Sequence, residues 1–365
     1  MKSLKDDKVS HEFTHTLTNR YYIDRSCAFG AKNLMKEKLL DLLACPTCGG
    51  DISLAYASKY EEREIIEGVL TCVKCTREYK VLRGVSRFAE LEKVESDKAE
   101  TAANFGWQWT HFTQEDEKYA DQFLGWLQPV RPEFFKDKIV LEGGCGKGRH
   151  TKLAAEWGAK DVVGIDLGDG VESAFQLTRD LPNAHIVQCD IFKLPLKKVF
   201  DYAFSVGVLH HTPDPKAAFV SLASKVKHGG HISAWVYGAE NNAWITGIVD
   251  PVRKSFTSKI GQPTLYQLSK LPTLSLFLTT KLLYRPANAL APGVARHLFY
   301  NEYMNHLAGF GWREQHNIVF DHLVAPTAFY ISKPEFEEWW KEVAAEDVEI
   351  IWHNKNSWCG FGRVG

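Results

Sequence analysis

Four of the eight cysteines in this 365-residue chain fall in two C-x-x-C pairs, Cys45–Cys48 and Cys72–Cys75. A tight C-x-x-C turn lets two thiolates reach one ion, and two such turns fill all four positions of a tetrahedral Zn2+. With no position left open, such a metal is structural, and its binding energy becomes folding energy. The other cysteines (Cys27, Cys145, Cys189, Cys359) are scattered. That distribution favours metal ligation over a disulfide framework.

A second run, Val140-Leu-Glu-Gly-Gly-Cys-Gly-Lys-Gly-Arg149, sets Gly144, Gly146 and Gly148 behind an acidic residue, Glu142. Glycines let the backbone turn sharply and let a ligand approach the main chain. A helix N-terminus directly after such a turn favours a carboxylate or phosphate. The dinucleotide spacing G-x-G-x-x-G is not met, because its third glycine position falls on Arg149 or on Thr151. The spacing present is E-x-G-x-G-x-G.

Both motifs need elements to hold them. Short β-rich runs at 138–142, 161–166, 184–188, 202–206 and 231–237 alternate with helical stretches such as 149–157, the pattern of a parallel α/β sheet. A helix over 334–345, then runs at 348–352 and near Trp358, would form its antiparallel end. The segment from about 240 to 325 is too long for a loop and should carry its own helices. The expected organisation is a polar N-terminal segment (1–37), a zinc ribbon (38–90), a linker with N-terminal helices (91–137) and a catalytic domain (138–365).

In this order the motifs resemble the class I S-adenosylmethionine-dependent methyltransferases, whose motif I has the E-x-G-x-G-x-G spacing. Gly164-Ile-Asp166, Gln188-Cys-Asp190-Ile191, the run from Phe200 to Asp214 and Lys227-His-Gly-Gly-His continue the resemblance over about residues 138–238. It implies a Rossmann-like seven-stranded sheet and S-adenosylmethionine as cofactor. Gly144, Gly146 and Gly148 would then form the binding turn. Asp166 would hold the ribose hydroxyls, and Asp190 with Ile191 would meet the adenine. Glu142 stands where the family more often has Asp and would contact the methionine amino group. Asp201, opening the fourth strand, is expected to be structural. The cysteine-bearing region, with Lys80–Phe88 as its closing strand, resembles the zinc-ribbon activators of tRNA and protein methyltransferases.

Methyl transfer from a sulfonium needs alignment more than acid–base power. A base helps where the acceptor must lose a proton, and His210 and His211 are the candidates. Trp107 or Trp109, just before the core, could help close over the cofactor. Asp321, His322 and Tyr330 offer polar groups to an acceptor. The insertion is apolar and basic, suited to cover a pocket or to touch a membrane surface.

The formal charge of -1 argues against a dedicated nucleic-acid coat. The main expectation for the acceptor is therefore a small molecule, hydrophobic, glycan-like or a natural product. RNA gripped by the ribbon through Lys74, Arg77, Lys80, Arg83 and Arg87 is the alternative. An inactive zinc-ribbon scaffold is a third reading, set against by the intact glycines and cofactor acids. The N-terminus has no apolar run like a signal peptide, so the chain reads as cytoplasmic.

Overall fold

In the computed structural model residues 35–61, 64–89, 95–112 and 118–365 are described. The expected polar segment up to residue 34 and the start of the charged linker, 90–94, lie outside the described residues. The strands are β1 (Ile52–Glu61), β2 (Glu64–Cys72), β3 (Glu78–Leu82), β4 (Val85–Arg87), β5 (Ile139–Gly143), β6 (Asp161–Asp166), β7 (Ala184–Gln188), β8 (Phe200–Val206), β9 (Val226–Tyr237), β10 (Glu346–His353) and β11 (Ser357–Arg363).

Strands β5 to β9 pair in parallel, while β11 runs antiparallel to β9 and β10 antiparallel to β11. All five residues of β7 and the first five of β6 are buried. Strands buried at consecutive positions are covered on both faces. The expected seven strands are present, in the order β7-β6-β5-β8-β9-β11-β10, but the sheet does not stop there. The four ribbon strands extend it to eleven, in the order β1-β2-β3-β4-β7.

The join is made in parallel, with Ser86 opposite Val187 and Arg87 opposite Gln188. The Phe88 amide donates to the Gln188 carbonyl at 2.8 Å, and the Ala44 amide to that of Pro195 at 2.9 Å. One apolar core runs through both parts, Leu39, Leu70, Val81 and Phe88 packing with Leu141, Val163, Val187 and Leu194. The ribbon is a continuation of the catalytic sheet rather than a module on a tether.

The helices are α1 (Met35–Leu42), α2 (Ser96–His111), α3 (Tyr119–Trp126), α4 (Arg149–Glu156), α5 (Gly170–Thr178) and α6 (Pro215–Ala223). In the insertion follow α7 (Asp250–Ser255), α8 (Gln262–Leu268), α9 (Lys270–Thr279), α10 (Arg285–Leu290), α11 (Pro292–Ala295), α12 (Asn301–Ala308) and α13 (Trp312–Val324), and then α14 (Lys333–Glu342). Local chemistry sets several starts. Asp214 caps α6 by accepting from the Ala217 amide at 2.9 Å, with Pro215 next in line. Ser332 does the same for α14. The insertion is helical as expected, and α13 packs on α2, α8 and α9 around Leu265, Phe320 and Val324. Among the described residues no helix is long and apolar enough to cross a membrane.

Candidate active site

A cavity of about 260 Å³ opens at the carboxyl ends of the parallel strands. This is where an open α/β sheet offers a crevice. The loops after β5, β6 and β7 form one half of it, with Gly144, Gly146, Asp166, Asp190 and Ile191 in the wall. The loop after β8, the end of β9 and the insertion form the other, with His211, Tyr237, Tyr303, Asp321, His322 and Tyr330. Helix α2 covers the first half. Lys98, Thr101, Ala102, Phe105 and Trp109 all line the cavity, at the spacing of one helical face.

The glycine turn is shaped for this cover. Gly144 has φ +79°, and a Cβ there would meet the Val208 side chain at 2.3 Å. At Gly146, φ +51°, a Cβ would meet the Trp109 indole nitrogen at 2.8 Å. Asp166 holds the turn: its carboxylate accepts from the Gly146 amide at 2.9 Å and from the Gly168 amide at 2.8 Å. Burial raises its pKa against the pull of those amides. Asp190 accepts from the Phe192 amide at 3.0 Å and pairs with Lys98 of α2 at 2.8 Å, latching the cover to the floor.

Two expectations for this half do not match the geometry, and a third, left open between two tryptophans, falls to Trp109. Glu142 is not part of the cavity wall. It is buried behind the turn, where His150 Nδ1 lies 3.2 Å from one oxygen and Thr151 donates to the other. Burial pushes its carboxyl up to about 8. Gly148 is also outside the wall, because it begins α4 where that helix crosses α5; a Cβ would meet Ala174 Cα at 2.8 Å. Trp107 points away from the cavity into the cluster of Tyr266, Phe320 and His111.

The two histidines separate sharply. His210 is fully buried outside the cavity, with its ring 4.0 Å from that of Tyr237 and no hydrogen-bond partner on either nitrogen. Burial holds it neutral. His211 lines the cavity, and its Nδ1 donates to the Thr327 carbonyl at 2.7 Å. A carbonyl can only accept, so the proton sits on Nδ1 and the Nε2 lone pair remains available. Burial lowers the His211 pKa to about 4. Asp321 accepts from Tyr237 at 3.2 Å, and burial lifts its pKa to about 6. Asp201, outside the site, ties the Ile139 amide and Lys227 together at 2.8 Å each.

Two wall residues had no place in the sequence reading. Arg149 begins α4 with its guanidinium 4.5 Å from the Tyr119 ring centre, and its Nη1 is buried without a partner. Gln122, one turn along α3 from Tyr119, has its Oε1 in the same condition. Arg149 directly follows the glycine motif, which was the available signal. Gln122 carried none.

Across the ribbon, the four sulfurs of Cys45, Cys48, Cys72 and Cys75 lie within 4.8 Å of one another. Tetrahedral zinc at 2.3 Å from each thiolate would need separations of roughly 3.8 Å. The closest approaches are 3.7 Å for Cys45–Cys75 and 3.5 Å for Cys48–Cys72, so the donor set fits. Gly50 lets the knuckle close, since a Cβ there would sit 2.9 Å from the Cys72 sulfur.

Residues 141–234 match the family model described as a methyltransferase domain, and residues 36–84 match that described as Trm112p-like protein. The chain thus carries a segment similar to Trm112p-like proteins ahead of one similar to methyltransferase domains. The methyltransferase domain is similar to tRNA U34 carboxymethyltransferase of Pseudoalteromonas translucida (strain TAC 125), at 33% identity over 31% of this chain and 34% of that protein. The same enzyme of Ruthia magnifica subsp. Calyptogena magnifica is 37% identical over 27% of this chain and 32% of the relative. The chain thus spans about a third of the length of these relatives. Among solved structures, a complex of the Haloferax volcanii Trm112 methyltransferase activator with a methyltransferase aligns at 20% identity, over 42% of this chain and 69% of that one, with a TM-score of 0.34. A methyltransferase from Mesorhizobium loti aligns at 27% identity over 28% and 48%, with a TM-score of 0.27.

Proposed function

We propose that this chain transfers a methyl group from S-adenosylmethionine to a nucleobase of tRNA. The observation that carries the transfer itself is the cavity wall made by Gly144, Gly146, Asp166, Asp190 and Ile191 beneath α2. When bound, S-adenosylmethionine supplies a methyl carbon already activated by its sulfonium. The chain's part is then alignment and exclusion of water. The Gly144–Gly146 turn would hold the methionine end, Asp166 the ribose and Asp190–Ile191 the adenine, beside Lys98 of the cover. His211 faces the acceptor, and its Nε2 takes the proton that a hydroxyl or ring N–H gives up.

The acceptor rests on the relatives, which are named for tRNA. It replaces the small-molecule expectation, which none of the relatives described above supports. A cavity of about 260 Å³ admits no duplex, so an RNA acceptor would enter as one extruded base, stacked among Tyr237, Tyr303 and His322. The ribbon's role as grip is reduced. Arg83 and Arg87 clasp Glu172 of α5, leaving Lys74, Arg77 and Lys80 exposed on that face. The closed cysteine set supports a structural zinc.

One observation favours a free small molecule as the second reading: the insertion roofs the acceptor half with Ile245, Tyr303 and Leu307, an apolar ceiling. Incubating the protein with methyl-labelled S-adenosylmethionine and either bulk tRNA or an organic extract of cells separates the two. Ribonuclease-sensitive label in tRNA supports the first reading. Label only in the extract replaces it with the second.

A further inference from the structure

The outer face of the insertion is unlike the rest of the surface. Residues 243–255 form one continuous helix and residues 270–290 another, each with a π-helical turn inside it. On the first, Trp244, Ile248, Val252 and Phe256 recur every fourth residue and are all exposed. On the second, Leu271, Leu274, Leu278 and Leu282 follow the same face and are also exposed. Leu271 is 75% exposed, Leu282 72% and, further along, Leu290 85%. The Trp244 and Phe299 rings meet at 5.9 Å, and the Phe299 carbonyl accepts from the Tyr284 hydroxyl of the second helix at 2.5 Å. Large apolar side chains in contiguous rows on water mark a surface made for something else.

Charge narrows what that is. Residues 241–300 contain seven Lys or Arg and a single acid, Asp250. That acid is buried and paired with Arg253. Lys254, Lys259, Arg285 and Arg296 remain exposed around the apolar rows. A second copy packed about a two-fold axis would bring this cationic face against itself. A nucleic acid would meet the cations but leave the leucines facing phosphate and water. A bilayer with anionic headgroups satisfies both, with the apolar rows in the acyl boundary and the cations at headgroup level.

We propose that the outer face of the insertion is a docking surface for anionic lipid membranes, on which these helices lie without crossing. The inner face of the same insertion supplies Ile245, Tyr303 and Leu307 to the acceptor half of the cavity, so docking places that roof against the lipid. The inference goes beyond the catalytic reading and does not depend on the acceptor.

Flotation of the full chain with vesicles tests it, comparing phosphatidylcholine alone with a mixture containing phosphatidylglycerol. The expected result is binding to the mixed vesicles, stripped by high salt and weaker by roughly tenfold or more on the neutral ones. Leu271→Ser with Leu282→Ser should lower binding to mixed vesicles by at least roughly tenfold. Lys259→Gln, Arg285→Gln and Arg296→Gln together should remove the preference for anionic lipid. Neither set should change affinity for S-adenosylhomocysteine, which reports an intact fold. Val73→Ser, on an exposed apolar residue of the ribbon, should bind vesicles like the parent. Absence of binding to mixed vesicles would overturn the proposal. So would a self-associating parent that the leucine pair renders monomeric, or tRNA binding lost only in the cationic triple.

Discussion

His211 donates its Nδ1 proton to the backbone carbonyl of Thr327 across 2.7 Å, which leaves Nε2 bare on a ring that lines the cavity, while the neighbouring His210 is sealed in the core. The pair is adjacent in sequence and divided in role. His211→Asn should lower kcat by about 10²–10⁴-fold while leaving S-adenosylhomocysteine affinity unchanged. His210→Phe should keep kcat within a few-fold, since the native ring makes no hydrogen bond. His211 can accept a proton only when neutral, so the acid limb of the rate profile should fall near pH 4 in the parent. Equal losses in both variants would remove His211 as the base.

Arg149 and Gln122 each present a buried, unpartnered polar atom at the cavity wall, a donor and an acceptor. An α-amino acid terminus would satisfy both, its carboxylate on Arg149 and its ammonium on Gln122, in the place first expected for Glu142. Arg149→Met should weaken S-adenosylhomocysteine by roughly 10–100-fold, the loss of a charge-assisted pair. Binding of 5′-methylthioadenosine, which lacks that terminus, should not change. Calorimetry that finds both ligands weakened alike would mean Arg149 supports the fold instead.

Because the ribbon and the catalytic sheet share strands and core, zinc loss should not stay local. A strong chelator, or Cys72→Ser, should lower the melting temperature of the whole chain by at least about 5 °C in a single transition. An unchanged main transition in calorimetry, beside loss of metal, would show that the ribbon melts by itself.

Acid should destabilise the fold. His150, His210 and His211 are buried and held below the usual histidine range by burial. As pH falls from about 6.5 towards 4, the unfolded chain takes up protons that the native one refuses, and stability drops. Each such group contributes up to about 1.4 kcal/mol per pH unit. Glu142, raised to about 8, opposes this: its native form holds a proton that the unfolded chain has lost, so its contribution grows as pH falls from 8 towards 4.5. Asp166 and Asp321, raised by the same burial, add to that opposition, but His322 and His353 are also held down to about 4, so the buried histidines prevail. Urea melts across this range should show the decline, and a rising stability would refute the assignment.

The sequence exposed what is periodic or spaced. Gly144 and Gly146 follow β5, Asp166 ends β6 and Asp190 follows β7, each in a short local motif, and all four line the cavity; the cysteines stand in two such motifs and cluster. The sequence could not show that Glu142 turns behind its own loop, because that depends on His150 and Thr151 facing it from the first turn of α4. Nor could it show the join of β4 to β7, a contact about a hundred residues apart carried by backbone amides that any side chains could accompany. Trp107 and Trp109 differ by two positions on α2, which places them on different sides of a helix. Only the direction of the cavity decides which one it takes.

The join of β4 to β7 also decides where the sheet ends. A strand with one unpaired side offers its amides and carbonyls to any passing chain, and β7, buried along its whole length, would be a dangerous place for that. The ribbon moves the boundary to β1, where Lys59 and Glu61 are exposed and three register shifts break the regularity of the pairing. A chain cut after residue 89 would expose the smooth side of β7 to other copies. The segment that carries the four-cysteine cluster therefore also guards the solubility of the larger sheet.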